Sequence, residues 1–403
     1  MNNALTRRTA KLKRSLQKVL FNAFLNRHTK LKRAEILKAA QTALTKKMVY
    51  ESDEMYLNST QATVRQGYQL RKDALAAFFN IHKDKTAERI LIQIPDADFS
   101  PAGYSLFTNL LESFQFLGVP CQKLGWSDDS RMVIETFMPT VLLSSDHSSY
   151  LERISWDDVR EYKNKHSLKI GLTASLAEYD NSPLPERLQW AKEHAIDFFY
   201  SFRDEEYFRK RKQYQPFYEA GYSILSIPFG ANILHYYPVP GFERDLSFAL
   251  MASRKREHIL YLQEISKKYA GFIDGPNWNH VKDFDFNRDR DRYIYARAKV
   301  GLNVHLPEQI EWACELNERT YQLAACGTPQ LIDQPLLLNK IFSQDMIFSA
   351  SSPREYMQLF KYILANPSIA QEKALLAQRE VFSKHTTFHR AQSFLNQLEG
   401  LAK

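Results

Sequence analysis

Three cysteines, thirteen glycines and no unbroken apolar run of membrane-spanning length are what this 403-residue chain has least of. Cys121, Cys314 and Cys326 are too few and too scattered for a disulfide framework or a zinc knuckle, so they read as small buried hydrophobes of an intracellular, reduced chain. The low glycine count excludes a repeat fibre or a flexible-linker protein. Without about 18 consecutive apolar residues no transmembrane helix is expected. The basic N-terminus lacks a following apolar core, so no secretory signal is expected either, and the protein should stay on the cytosolic side.

Charge of one sign is also missing from one place. Residues 1–48 hold 13 Lys or Arg and a single acid, Glu35, which leaves 41 basic against 45 acidic side chains in the remainder. The excess of +8 therefore belongs to the N-terminus, and the body has no charge signature of a nucleic-acid binder. In the basic segment Leu5, Leu12, Leu16, Val19, Leu20, Ala23 and Phe24 recur at helical spacing with Lys and Arg around them. Such a helix suits an anionic membrane surface. The same periodicity serves equally to pack on the body or on a partner, with nucleic-acid contact a weaker third reading.

What is present is a core. Hydrophobic residues make up 44% and aromatics 13%, enough for two ordinary domains in a chain of this length. After a polar helical stretch at 50–85, apolar runs recur at 90–94, 139–145, 168–175, 196–202 and 222–230. Helix-length polar stretches separate them, and one of these, in "LFTNLLESFQFLGV", should end at Gly118. Past the Pro/Gly-rich stretch at 236–243 a second series follows at 245–251, 269–275, 300–305, 329–333 and 345–350. Runs of this length, apolar throughout, predict parallel strands covered on both faces. The expected fold is α/β: two Rossmann-like domains facing across a cleft, with a basic helical extension at 1–50. The domains fall at 51–235 and 236–385, with a terminal helix at 386–403. Ligands should bind at the carboxyl ends of the strands.

The segments "DLSFALMASRKREHILYLQEI", "GFIDGPNW", "YIYARAKVGLNVH", "NERTYQLAACGTPQLID", "SPREYMQLFKYILANP" and "REVFSKHTTFHR" stand in the order of a known domain. Over about 225–395 the chain resembles the donor-binding domain of GT-B glycosyltransferases, nearest to the CgeB-like group, also called glycosyl transferases group 1. "SIPFGANILHYYP" is similar to that fold's interdomain hinge. The resemblance implies a nucleotide-sugar co-substrate with its diphosphate at the helix opening in "NERTYQLAACG", where unpaired N–H groups favour anions. Asn317 would cap that helix, and Arg319 and Thr320 would donate toward phosphate or sugar.

Gln322 stands where the family carries a ribose-binding acid, which leaves an acceptor oxygen without its charge. Arg254, Lys255 and Arg256 fall where the family offers a cation to the leaving diphosphate, although this chain lacks the family's Gly near that strand end. Asn303 and His305 resemble its Asn-x-His element, Pro276 and Trp278 its wall beside the base, and His385 and Arg390 a structural pattern opening the terminal helix.

A catalytic base for an inverting reaction would come from the N-terminal half, at a strand's carboxyl end. Asp146 with His147 and Asp96 with Asp98 qualify by position, and each pair could equally cap a loop. Ser100, Gly103 and Tyr104 in "SPAGYS" would border the acceptor, Gly103 by admitting a ligand close to the backbone. No metal or other cofactor is expected. The Asp-x-Asp in "DFDFNRDRDR" alternates with arginines and reads as a helix cap. The implied activity moves a sugar from a nucleotide-sugar donor to a glycan or lipid-linked acceptor, in cell-surface polysaccharide or glycoconjugate synthesis. It would be cytoplasmic, with residues 1–48 as a peripheral membrane contact. The alternative is a catalytically weakened scaffold or sugar-nucleotide-binding protein on the same fold.

Overall fold

The structure, a computed structural model, describes residues 33–42, 52–175, 184–281 and 284–401. The apolar stripe between Leu5 and Phe24 lies outside the described residues. Two compact units are present, each assembled from more than one segment. The first comprises 1–69, 234–307 and 322–380, and the second comprises 70–233, 308–321 and 381–403.

The second unit carries six parallel strands: β1 (Ile90–Ile94), β2 (Cys121–Gly125), β3 (Val141–Ser145), β4 (Lys169–Thr173), β5 (Phe198–Ser201) and β6 (Ile224–Ser226), in the order β2-β1-β3-β4-β5-β6. Five of them lie inside the predicted apolar runs. β2 was not expected, because its sequence CQKLG exposes Gln122 and Lys123. It is one of the sheet's two edge strands, and unlike the other, β6, it turns two polar side chains to solvent, so it lacks the continuous apolar signature.

The helix Pro101–Phe116 ends as predicted. Gly118 takes φ +84°, its N–H bonds Gln115 O, and Val119 N–H bonds Phe114 O, a Schellman closure. Against this helix packs the terminal helix Thr387–Gly400, joined by Ser113 Oγ to Thr387 Oγ1 at 2.7 Å and by stacked Phe116 and Phe388 rings. Leu91, Leu142, Ile170, Leu172 and Phe199 form the centre of this core.

The first unit carries five parallel strands: β7 (Phe248–Met251), β8 (Gly271–Asp274), β9 (Gly301–Asn303), β10 (Gln330–Ile332) and β11 (Phe348–Ser349), in the order β11-β10-β9-β7-β8. All five fall within the second predicted series. Phe248, Leu250, Leu302, Leu331, Tyr356 and Phe360 fill its core. The chain leaves β7 for β8 on one side and then reaches β9 on the other, with Ala249 in register with Gly301. This makes the carboxyl ends of β7 and β9 the topological switch point of the sheet, where open α/β sheets hold ligands. The described part of the basic extension, 33–42, is a helix of this unit with Ile36 and Ala40 buried.

Candidate active site

In the first unit, the loop after β7 brings three cations to the switch point. Arg254 is half-buried and fixed by its backbone N–H to Pro276 O at 2.9 Å, while Lys255 and Arg256 are exposed. Lys255 occupies the N-cap position of the helix Arg256–Lys268 without a side-chain cap bond. An uncapped helix start beside guanidinium and ammonium groups is a favourable environment for an anion. The same loop is bonded to the one after β8. Ala252 N–H donates to Asp274 O at 2.9 Å and Trp278 Nε1–H donates to Ala252 O at 2.7 Å. Gly275 takes φ +132°, and a Cβ there would stand 2.3 Å from Ala252 O, so the position requires glycine.

On the other side of the switch point stand Asn303 and His305, both almost wholly buried. Asn303 ends β9, and its backbone is engaged by Tyr356 Oη, which also donates to Leu331 O at 2.9 Å. His305 Nδ1 lies 2.7 Å from Asp333 Oδ1, and its backbone N–H donates to Asp333 Oδ2 at 2.6 Å. One carboxylate thus fixes both the ring and the main chain of His305.

Asp274 ends β8 fully buried, with Arg33 bidentate upon it and Arg290 Nη1 at 3.6 Å. Arg290 also pairs with Asp291, whose carboxyl burial pushes up to about 6 against the pull of that guanidinium. The Asp-x-Asp acids at 289 and 291 sit in the first turn of the helix Arg288–Arg297, capped by Asn287. Among the described residues no cluster of His, Cys, Asp and Glu could hold a metal ion.

A cavity of about 480 Å³ lies at the opposite pole of this sheet, lined in part by Arg244, Lys299, Gly327, Pro329, Ile363 and Leu364. Lys299 and Pro329 precede β9 and β10, so the cavity is apart from the switch point.

The helix Glu318–Ala325 crosses from the second unit to the first between Tyr321 and Gln322. Asn317 Oδ1 accepts from Thr320 N–H at 3.2 Å, the N-cap bond, and the Thr320 hydroxyl is 3.2 Å from the same oxygen. Thr320 is fully buried and Arg319 half-buried. Glu318 accepts from Ser105 Oγ at 3.3 Å and Asn109 Nδ2 at 3.0 Å, both on the helix Pro101–Phe116. Gln322 is half-buried, and no side-chain hydrogen bond of it is found among the described residues. The helix closes with Gly327 at φ +65°, its N–H on Ala324 O and Thr328 N–H on Leu323 O.

The remaining candidates belong to the second unit. Asp146 is buried, accepting from Arg187 Nη1 at 3.2 Å, Ser175 N–H at 3.2 Å and Thr173 Oγ1 at 3.3 Å. Burial pushes its carboxyl up, opposed by the Arg187 charge. His147 starts the short helix Ser148–Leu151, where Nδ1 accepts from Ser149 N–H. Asp96 and Asp98 are exposed, the Asp96 carbonyl closing a turn to Phe99 and Ser100. Ser100 caps the helix Pro101–Phe116 through Gly103 N–H. Beside Gly103 the Tyr150 hydroxyl fills the place of a Cβ, and Tyr104 is half-buried. Tyr150 packs on His147 and Trp126.

Sequence reading missed Arg33, Asp274, Asp333 and Arg187. Asp274 and Asp333 carried a usable signal, an acid directly after an apolar run at a strand's carboxyl end. Arg33 and Arg187 carried none, since one sits in a basic segment and the other on a helix that looks ordinary.

Residues 254–396 match the family model described as "Glycosyl transferase-like". The structure is similar to an alpha-glucosyltransferase in complex with UDP and a 13-mer DNA, over 79% of this chain and 100% of that one, at 11% identity and a TM-score of 0.54. It is also similar to Anabaena HepE in complex with UDP-glucose, over 78% and 100%, at 11% identity and a TM-score of 0.50. At such identity the likeness shows the fold alone, which is of the GT-B type. Among curated proteins none matches the sequence. The match over 254–396 is thus to glycosyltransferases, and the fold that carries it is of the GT-B type.

Proposed function

We propose that this glycosyltransferase takes a nucleotide-sugar donor at the carboxyl pole of the β7–β9 sheet and passes the sugar to a glycan or lipid-linked acceptor, without a metal ion. One observation carries the reading: the switch point has Arg254, Lys255 and the uncapped start of Arg256–Lys268 on one side, and His305 locked by Asp333 on the other. Breaking a sugar–phosphate bond builds negative charge on the departing diphosphate, and cations with free helix N–H groups stabilise it as it forms. That arrangement supplies the electrostatic part of catalysis that a divalent ion supplies in other designs.

The basic N-terminal segment supports an acceptor presented at an anionic membrane surface, to which such a segment is attracted. Among the described residues no helix is long and apolar enough to cross a membrane. A cytoplasmic protein with peripheral contact through residues 1–48 is the localisation that this reading requires.

A second reading, a sugar-nucleotide-binding scaffold with weakened turnover, is favoured by Gln322, whose neutral amide stands where the family resemblance implies an acid. Calorimetric titration with nucleoside diphosphates and their sugars, followed by donor hydrolysis and acceptor assays without and with chelator, tests both. Binding with turnover supports the enzyme, and binding without turnover supports the scaffold. No binding by any nucleotide rejects both. Loss of turnover in chelator rejects metal independence.

A further inference from the structure

The carboxylate at the end of β8 is held by a residue remote in sequence. Asp274 is fully buried, and Arg33, 241 positions earlier, reaches it with Nε to Oδ1 at 3.2 Å and with Nη2 to Oδ1 at 3.0 Å and to Oδ2 at 3.1 Å. Oδ1 also accepts from Gly275 N–H at 2.9 Å, and Arg290 lies near Oδ2. Asp274 is thus fully occupied, and it holds the Arg33 guanidinium through two of its three nitrogens. The third, Nη1, makes no hydrogen bond with any described residue, and the Arg33 side chain keeps 15% of its surface exposed.

Where that guanidinium stands matters. Asp274 and Gly275 belong to the loop bonded to Ala252 and Arg254, the residues that leave β7 at the switch point. A cation fixed there by a buried carboxylate is oriented before any ligand arrives, and a fork with one edge spent on carboxylate retains an edge suited to phosphate.

We propose that Arg33 is a further donor-site residue, presenting its unspent guanidinium edge to the diphosphate of the nucleotide sugar. This rests on the reading of the β7–β9 carboxyl pole as the donor site. The helix at 33–42 is then part of the donor-binding unit.

The test is affinity against phosphate number. The intact protein is titrated with UDP, CDP, GDP and ADP and with the corresponding nucleosides, alongside Arg33→Lys and the double variant Arg33→Ala/Asp274→Asn, which leaves no orphan carboxylate. Circular dichroism and the thermal midpoint show whether each variant is folded. For a diphosphate that the native protein binds, we expect the double variant to weaken affinity about tenfold or more and Arg33→Lys to weaken it less, with nucleoside affinity unchanged.

Unchanged diphosphate affinity in folded variants overturns the inference and leaves the donor-site reading standing. So does equal loss for nucleoside and diphosphate, the mark of a structural anchor. Tighter binding also overturns it, since Arg33 would then be a plug. If Arg33→Lys is folded while the double variant is not, the phosphate-number comparison on Arg33→Lys decides alone. A native protein that binds no nucleotide overturns both readings.

Discussion

Asp333 bonds His305 at two points, ring Nδ1 at 2.7 Å and backbone N–H at 2.6 Å, with both side chains nearly free of solvent. One carboxylate sets the position of the strand-end backbone and the direction of the imidazole together. Asp333→Asn keeps the shape but removes the charge and one of the two acceptor oxygens, so the backbone N–H and the ring can both be met only if the imidazole changes tautomer. We expect a stability loss of about 1–3 kcal/mol, measured by urea unfolding. Under the donor-site reading, diphosphate affinity also falls, and an unaltered affinity in a folded variant would remove His305 from that site.

Gly275 takes φ +132° with Ala252 O where a side chain would begin. Gly275→Ala should therefore cost about 2 kcal/mol or more, and it should displace the loop that carries Arg254. Thermal unfolding gives the first effect and nucleotide titration the second. A variant with native stability would show that the loop after β7 can yield.

Phe394, fully buried on the terminal helix, meets Phe114, Phe198 and Tyr200. Phe394→Ala should destabilise the protein by about 3–5 kcal/mol in equilibrium denaturation. A cost below about 1 kcal/mol would mean that this helix is not an integral layer of its unit.

His385 and His389 give the second unit an acid limit. Burial pushes His385 down to about 3 and His389 down to about 4, with the Arg390 charge adding to both. Both folded-state values lie below the ordinary 6.5, so protonation favours the unfolded chain. The stability they contribute is complete above pH 6.5 and is lost as pH falls through these lower values. His389→Gln should flatten the midpoint-against-pH curve between about 6.5 and 4. An unchanged slope would assign the acid sensitivity to other groups.

How much of this was readable beforehand follows from the range of each interaction. The strand runs, the Gly118 closure and the Asn317 cap depend on neighbours within a few residues, so periodicity and turn chemistry expose them. β2 was missed because its CQKLG sequence, at a sheet edge, exposes Gln122 and Lys123 and so shows no apolar run. The choice of Asp146 by position found a real strand end, but that its carboxylate is engaged by Arg187, Ser175 and Thr173 could not be read from spacing.

By itself the sequence determined two series of parallel strands, because each run rests on a local pattern of burial, and the order of its motifs pointed to glycosyltransferases over 254–396. Only the tertiary structure decided which charges meet at the strand ends. Arg33 reaches Asp274 across 241 positions, and Asp333 reaches His305 across 28. Such pairs arise from where the sheet order brings separate loops together, and a buried carboxylate, costly to leave unpaired, then takes the cation or N–H group that the fold delivers.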